Sequence, residues 1–216
     1  MPLLLQHHIS GNIKLAVWKI EEDETFFLSR VQHQNAVHHP HKRLQHLAGR
    51  YLLTFLQPYF PIDKIEVTKS RKPFLPSNDY RFSISHCGDY AAAIISTDNQ
   101  VGIDIEMYSS KIEIVKQKFL SDEELNLITI LETSHPGLFA RYQLYTLCWC
   151  AKEAVYKWWG NGQLDFKKNI IIRHIDVDQK EILISFNKET YDLVLQLHFL
   201  LLPQSSVVWT VTQKIY

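Results

Sequence analysis

Apolar and polar positions along this chain change period several times. Residues 13–20 read as a strand, and Pro40 opens a helix that runs to about residue 57, where Pro58 ends it. Residues 65–69 form a short β-like run, followed by a loop at 70–76 punctuated by two prolines. Residues 82–85, 90–96 and 101–106 read as strands, separated by turn signals at Gly88-Asp89 and Asp98-Asn99. The period then becomes helical over 112–119. A second helix follows, capped by Ser121 with Glu124 three residues on, and a third runs over 137–159 and stops at Gly160 and Gly162. Residues 166–216 alternate as three or four strands. Strands and helices mix without βαβ alternation, which predicts an α+β fold. Each half holds helix and a small antiparallel sheet. Two lobes joined near Gly102 are expected, over residues 1–103 and 104–216.

Composition adds limits. The 216 residues are 46% hydrophobic and 21% charged, enough for one large domain or two small lobes with an ordinary core. Lys and Arg total 23, as do Asp and Glu, which argues against nucleic-acid binding driven by overall charge. The charge is uneven, however. From Arg30 to Arg81 there are nine Lys/Arg, five His and three acids, whereas from Asp104 to Leu125 six acids face three lysines. A basic first half and an acidic centre suit a ligand carrying several phosphates plus a metal; two solvated surfaces of opposite sign are the plainer reading. Three cysteines suggest no disulfide framework, and Met1-Pro2-Leu3-Leu4-Leu5 lacks a basic signal-peptide start. No run is long enough to span a bilayer, so a cytoplasmic protein away from membranes is expected.

Two motifs carry chemistry. In Gly102-Ile103-Asp104-Ile105-Glu106 the carboxylates stand at i and i+2, so a strand aims both at one face while Val101, Ile103 and Ile105 face the other. In Trp149-Cys150-Ala151-Lys152-Glu153-Ala154-Val155-Tyr156-Lys157 a helix puts Glu153 and Lys157 on one face. Three carboxylates and a lysine from separate elements suit a hard divalent cation shared with a phosphate. Taken singly, Asp104 and Glu106 fit a solvated strand end and Glu153 fits an ion pair with Lys157. The histidines from His33 to His46 lack regular zinc-ligand spacing, and Cys148 and Cys150 fit inert core.

Together with Arg71-Lys72-Pro73, Phe82-Ser83-Ile84-Ser85-His86 and the weaker Phe119-Leu120-Ser121-Asp122-Glu123-Glu124, these blocks follow one another in the order of a known family. The chain resembles the 4′-phosphopantetheinyl transferases, specifically the two-lobed, Sfp-like class. The resemblance implies two similar lobes related by a pseudo-twofold axis, with the active site in the cleft between them. It implies coenzyme A as substrate and Mg²⁺, or Mn²⁺, as metal. The phosphopantetheine arm would pass to a serine of an apo acyl or peptidyl carrier protein, releasing adenosine 3′,5′-bisphosphate. A monomer is implied, because the cleft forms within one chain.

By resemblance Asp104, Glu106 and Glu153 bind the metal. Arg50, Arg71, Lys72, His86, Lys152 and Lys157 contact coenzyme A. Glu124 or Glu153 takes the serine proton, with Lys157 on the pyrophosphate. At about 100° per residue Lys152 and Lys157 stand about 140° apart on the helix, which favours Lys157 as the phosphate contact. Two departures stand out: Arg71 replaces a glycine of the family pattern, and Cys87 replaces a Ser or Thr after His86. Alternatives are another metal-dependent phosphodiesterase, or a non-catalytic coenzyme A-binding protein of the same fold.

Overall fold

The computed structural model describes residues 2–31 and 37–213. It is an α+β molecule built on two antiparallel sheets. The first half contributes β1 (Leu3–Ser10), β2 (Ile13–Lys19), α1 (Glu24–Leu28) and α2 (Pro40–Leu56). The two-residue strands β3 (Glu66–Val67) and β4 (Pro73–Phe74) follow, then β5 (Arg81–Cys87) and β6 (Tyr90–Ser96). The second half contributes β7 (Gln100–Met107), α3 (Ile112–Val115), α4 (Asp122–Ser134) and α5 (Arg141–Trp159), then β8 (Ile170–Asp176), β9 (Glu181–Lys188), β10 (Tyr191–Leu201) and β11 (Ser205–Thr212).

The first sheet runs β1-β2-β6-β5 and the second β7-β11-β10-β9-β8. β1 has no alternation to announce it, and its pairing with β2 shifts register twice. α1 is a single short helix started by Asp23, whose carboxylate accepts from Phe26 N at 3.0 Å. α5 begins at Arg141 rather than 137, because Gly137 sits at φ 77° in a turn and Gln143 accepts from Ala140 N at the true start. The expected helix over 112–119 splits into α3 and a 3₁₀ turn at Lys116–Lys118.

Each sheet packs its own helices. α2 covers the first through Leu47, Leu52 and Leu53, and α4 and α5 cover the second through Ile128, Leu144 and Trp158. A third apolar cluster joins the two sheets, with Leu15 and Ile94 from the first against Ile103, Ile105 and Val207 from the second. Where β5 runs beside β7, Ser83 Oγ accepts from Ile103 N at 3.2 Å, so a serine side chain bridges the sheets. α5 lies directly on β7. A Cβ on Gly102 would stand 2.2 Å from the Ala154 carbonyl, so only glycine admits that approach. Among the described residues no helix is long and apolar enough to cross a membrane.

Candidate functional site

β7 splits its side chains as the alternation requires. Val101, Ile103 and Ile105 enter the shared apolar cluster, and Asp104 and Glu106 turn to the other face. There they meet α5, which presents Glu153, Tyr156 and Lys157 at i, i+3 and i+4. Ser85 and His86 of β5 and the loop of Arg71 and Lys72 close a cavity of about 430 Å³ between the halves.

Asp104 is buried. One of its oxygens, Oδ1, accepts from Lys157 Nζ at 2.6 Å and from Ser85 Oγ at 2.7 Å. The other, Oδ2, is buried with no hydrogen-bond partner among the described residues. A buried carboxylate oxygen without a donor is costly unless something binds it. Glu106 is held from both sides, by Trp149 Nε1 at 3.1 Å and the Cys87 thiol at 3.2 Å. Burial and the charge of Asp104 raise its pKa. Burial, and then Asp104, push Glu153 up to about 7, with Lys157 opposing and Glu106 adding. Three carboxylates therefore crowd one wall, and a cation there would relieve them.

Among the described residues no three His, Cys, Asp or Glu side chains form a ready-made metal cage. Mg²⁺ takes one or two carboxylates and completes its shell with water and substrate phosphate. The unpartnered Asp104 oxygen and the all-oxygen donor set of Asp104, Glu106 and Glu153 fit such an ion.

Basic groups line the opposite side. An adjoining cavity of about 370 Å³ is lined by Arg50 and His46 of α2 and shares Arg71 and His86 with the first. Burial, His46 and Lys157 lower His86 to about 4, so it is a neutral imidazole at neutral pH. Arg71 adopts φ 64°, the left-handed conformation that a glycine takes freely. The loop thus keeps a glycine-like path while carrying a guanidinium. Lys72 lines the main cavity, but its ammonium donates to the Trp158 carbonyl at 3.3 Å, at the C-terminal end of α5.

Two expected site residues lie elsewhere. Lys152 is fully buried, and its Nζ is enclosed by Phe119 O and Phe166 O, each at 2.8 Å, and by Glu124 at 2.7 Å. It points into the core of the second half and does not line the cavity. Glu124 is buried with it; besides Lys152 it accepts from Ser121 N at 2.7 Å and Ile172 N at 2.8 Å. That carboxylate is spent on a helix cap, a strand and an ion pair, and it does not open onto the cavity.

Sequence reasoning passed over other participants. Ser85 holds Asp104, and Cys87 and Trp149 orient Glu106, which gives the Cys87 departure a role as a thiol donor to a carboxylate. The available signal was Ser83 and Ser85 at i and i+2, alternating with the apolar Phe82 and Ile84. Of the histidine-rich stretch, His39 caps α2 through Lys42 N, and His33 lies outside the described residues.

Comparison with known proteins bears on this cleft. A family model described as the 4′-phosphopantetheinyl transferase superfamily matches residues 100–211, which includes β7 and α5. The chain is 28% identical over 168 residues to a Haemophilus influenzae protein whose name assigns it provisionally to the 4′-phosphopantetheinyl transferases, covering 76% of this chain and 65% of that one. It is 29% identical over 119 residues to the 4′-phosphopantetheinyl transferase AcpT of Escherichia coli K12, covering 54% of this chain and 57% of AcpT. It is also 33% identical over 135 residues to the L-aminoadipate-semialdehyde dehydrogenase-phosphopantetheinyl transferase of Xenopus laevis, covering 54% of this chain and 43% of that protein. The matches thus span 65% or less of the length of these relatives.

Proposed function

The chain belongs to the 4′-phosphopantetheinyl transferase superfamily, and from that premise we propose that it moves the phosphopantetheine arm of coenzyme A to a serine of an apo acyl or peptidyl carrier protein. The observation that carries the reading is one cavity with carboxylates on one wall and basic groups on the other. Asp104, Glu106 and Glu153 face it from β7 and α5, and Arg71, His86 and Lys157 stand across or among them.

In this reading Asp104 and Glu106 hold Mg²⁺, or Mn²⁺, and Glu153 stands beside them as a third ligand or as the base. The ion, when bound, supplies charge neutralisation at the pyrophosphate. Arg50 and Arg71 bind phosphate oxygens, as guanidinium groups do well, and His86 donates as a neutral ring. Lys157 lines the cavity beside Asp104 and is the cation that meets the pyrophosphate in this reading. The serine hydroxyl attacks the phosphorus that bears the pantetheine arm. The P–O bond to adenosine 3′,5′-bisphosphate breaks, and the serine proton passes to a carboxylate. With Glu124 sealed in its ion pair, Glu153, which lines the cavity, is the carboxylate left to take that proton. Positioning and electrostatic stabilisation supply most of the acceleration.

The cleft is built within one chain, which supports a monomer; since β7 (Gln100–Met107) pairs whole within the second sheet, the lobes in this reading meet before Gln100 rather than at 103/104, and a cytoplasmic location belongs to the same reading. The experiment is to follow nucleotide release from coenzyme A with and without apo carrier. Release of adenosine 3′,5′-bisphosphate only when carrier is present supports transfer. Release without carrier points to a phosphodiesterase instead.

A further inference from the structure

Lys72 also lines a second, smaller cavity of about 220 Å³, which shares Pro73, Phe82 and Gly160 with the main one. Its lining is unusual in charge. Lys72 and Arg81 both line it with Asn78, Gln100 and Asn161, and none of the residues that line it is acidic. Among the described residues neither Lys72 nor Arg81 has a carboxylate within ion-pair distance. Arg81 donates to the Asn78 side-chain oxygen, a neutral partner. The indole N–H of Trp159, another lining residue, is buried without a hydrogen-bond partner among the described residues.

The electrostatics are unbalanced. Burial, and then the charge of Arg81, lower Lys72 to about 8, so the two cations feel one another. The negative end of α5 lies close by, and two carbonyls there are already covered. Trp158 O accepts from Lys72 and from Gln100 Nε2, and Gly160 O accepts from Ser70 Oγ at 2.8 Å. Two like charges beside one small polar cavity are stabilised by an anion between them.

We propose that this cavity is a binding site for a small free oxyanion of phosphate size, held between Lys72 and Arg81 with amide donors around it. The cavity is the smaller of the two and suits a ligand of that size. The anion ties the 70–81 segment of the first half to the end of α5 and braces the two halves. The site does not depend on the transferase reading, because Arg81, Asn78 and Asn161 lie outside the cavity of the carboxylates.

The test is calorimetric titration of inorganic phosphate into the metal-free protein and its variants, with thermal melts in parallel. Phosphate can also enter the cleft at Arg50 and Arg71, so the variants must separate the two places. Arg81→Gln should weaken one binding event about tenfold or more, since it removes a charge-assisted hydrogen bond, and should blunt the rise in melting temperature with phosphate. Arg81→Lys should keep that event, as should Arg50→Gln. If Arg81→Gln does not fold, Asn161→Asp places a carboxylate at the cavity and should abolish the event. Phosphate titrations of Arg81→Gln or Asn161→Asp that match the wild type would overturn the proposal, as would loss of all phosphate binding in Arg50→Gln.

Discussion

Asp104 and Lys157 meet at 2.6 Å across the β7–α5 contact, and the pair leaves Asp104 Oδ2 buried with no donor among the described residues. The ammonium satisfies one oxygen, and Ser85 shares it. The other is what a cation would bind. Asp104→Asn keeps the shape and removes the charge. It should cut transfer about a hundredfold or more. Folding should survive, because Lys157 is partly exposed and can return to water. Steady-state transfer rates and a denaturant melt would check both halves of the statement.

The Lys152–Glu124 pair is structural, and its energetics should show it. Lys152→Met leaves Glu124 buried without its cation and should cost about 3–5 kcal/mol. Adding Glu124→Leu should recover much of that, because an apolar pair replaces the charges. The backbone N–H groups of Ser121 and Ile172 would still lose their acceptor, so recovery should stop short of the wild type. Urea unfolding of the two variants measures the difference.

Gly102→Ala tests the close approach of β7 to α5. A methyl there lies 2.2 Å from Ala154 O and 2.7 Å from Trp158 Cβ, both on a helix that cannot yield locally. A loss of about 3 kcal/mol or more is expected, at the upper end of overpacking. Transfer should fall with stability, since α5 carries Glu153 and Lys157.

Arg71→Gly should raise stability while weakening coenzyme A binding. Glycine relieves the left-handed backbone at φ 64°, worth about 1 kcal/mol once its own chain entropy is counted. The KM for coenzyme A should rise about tenfold, because a phosphate-binding guanidinium is gone. A variant that is both less stable and unchanged in KM would contradict this account of the loop.

In metal-free protein His86 and Glu153 should tilt the pH dependence of stability in opposite senses. His86 is depressed from 6.5 to about 4, so between those values the unfolded chain binds the extra proton and stability falls on acidification. Glu153 is raised from 4.5 to about 7, so over that range the folded protein binds the extra proton and stability falls as pH rises. Thermal melts from pH 4 to 7 in chelator should show the acid loss reduced in His86→Gln and deepened in Glu153→Gln.

Much of this was legible because it is local. The alternation of Val101 to Glu106 fixed the two faces of β7, and the Ser121–Glu124 capping box formed as read. The i, i+4 spacing put Glu153 and Lys157 on one side of α5 and left Lys152 turned away. What the spacing could not say is where Lys152 goes. Its ligands are carbonyls of Phe119 and Phe166, and Glu124 is sealed by the amide of Ile172, 48 residues away in sequence. A glutamate already spent on a cap and a strand looks, in sequence, like one free for catalysis. Leu3-Leu4-Leu5-Gln6-His7-His8-Ile9-Ser10 shows no strand pattern, because β1 is an edge with mostly exposed side chains and two register shifts. Ser85, Cys87 and Trp149 support the carboxylates through contacts between β5, β7 and α5 that only the assembled fold creates.

The most direct test weighs an apo carrier protein by intact mass spectrometry after incubation with coenzyme A, Mg²⁺ and either the wild type or Asp104→Asn. The account predicts that the carrier gains one phosphopantetheine group with the wild type, and that the gain disappears with chelator and is nearly lost with the variant. No gain with any carrier, or an equal gain with the variant, would contradict it.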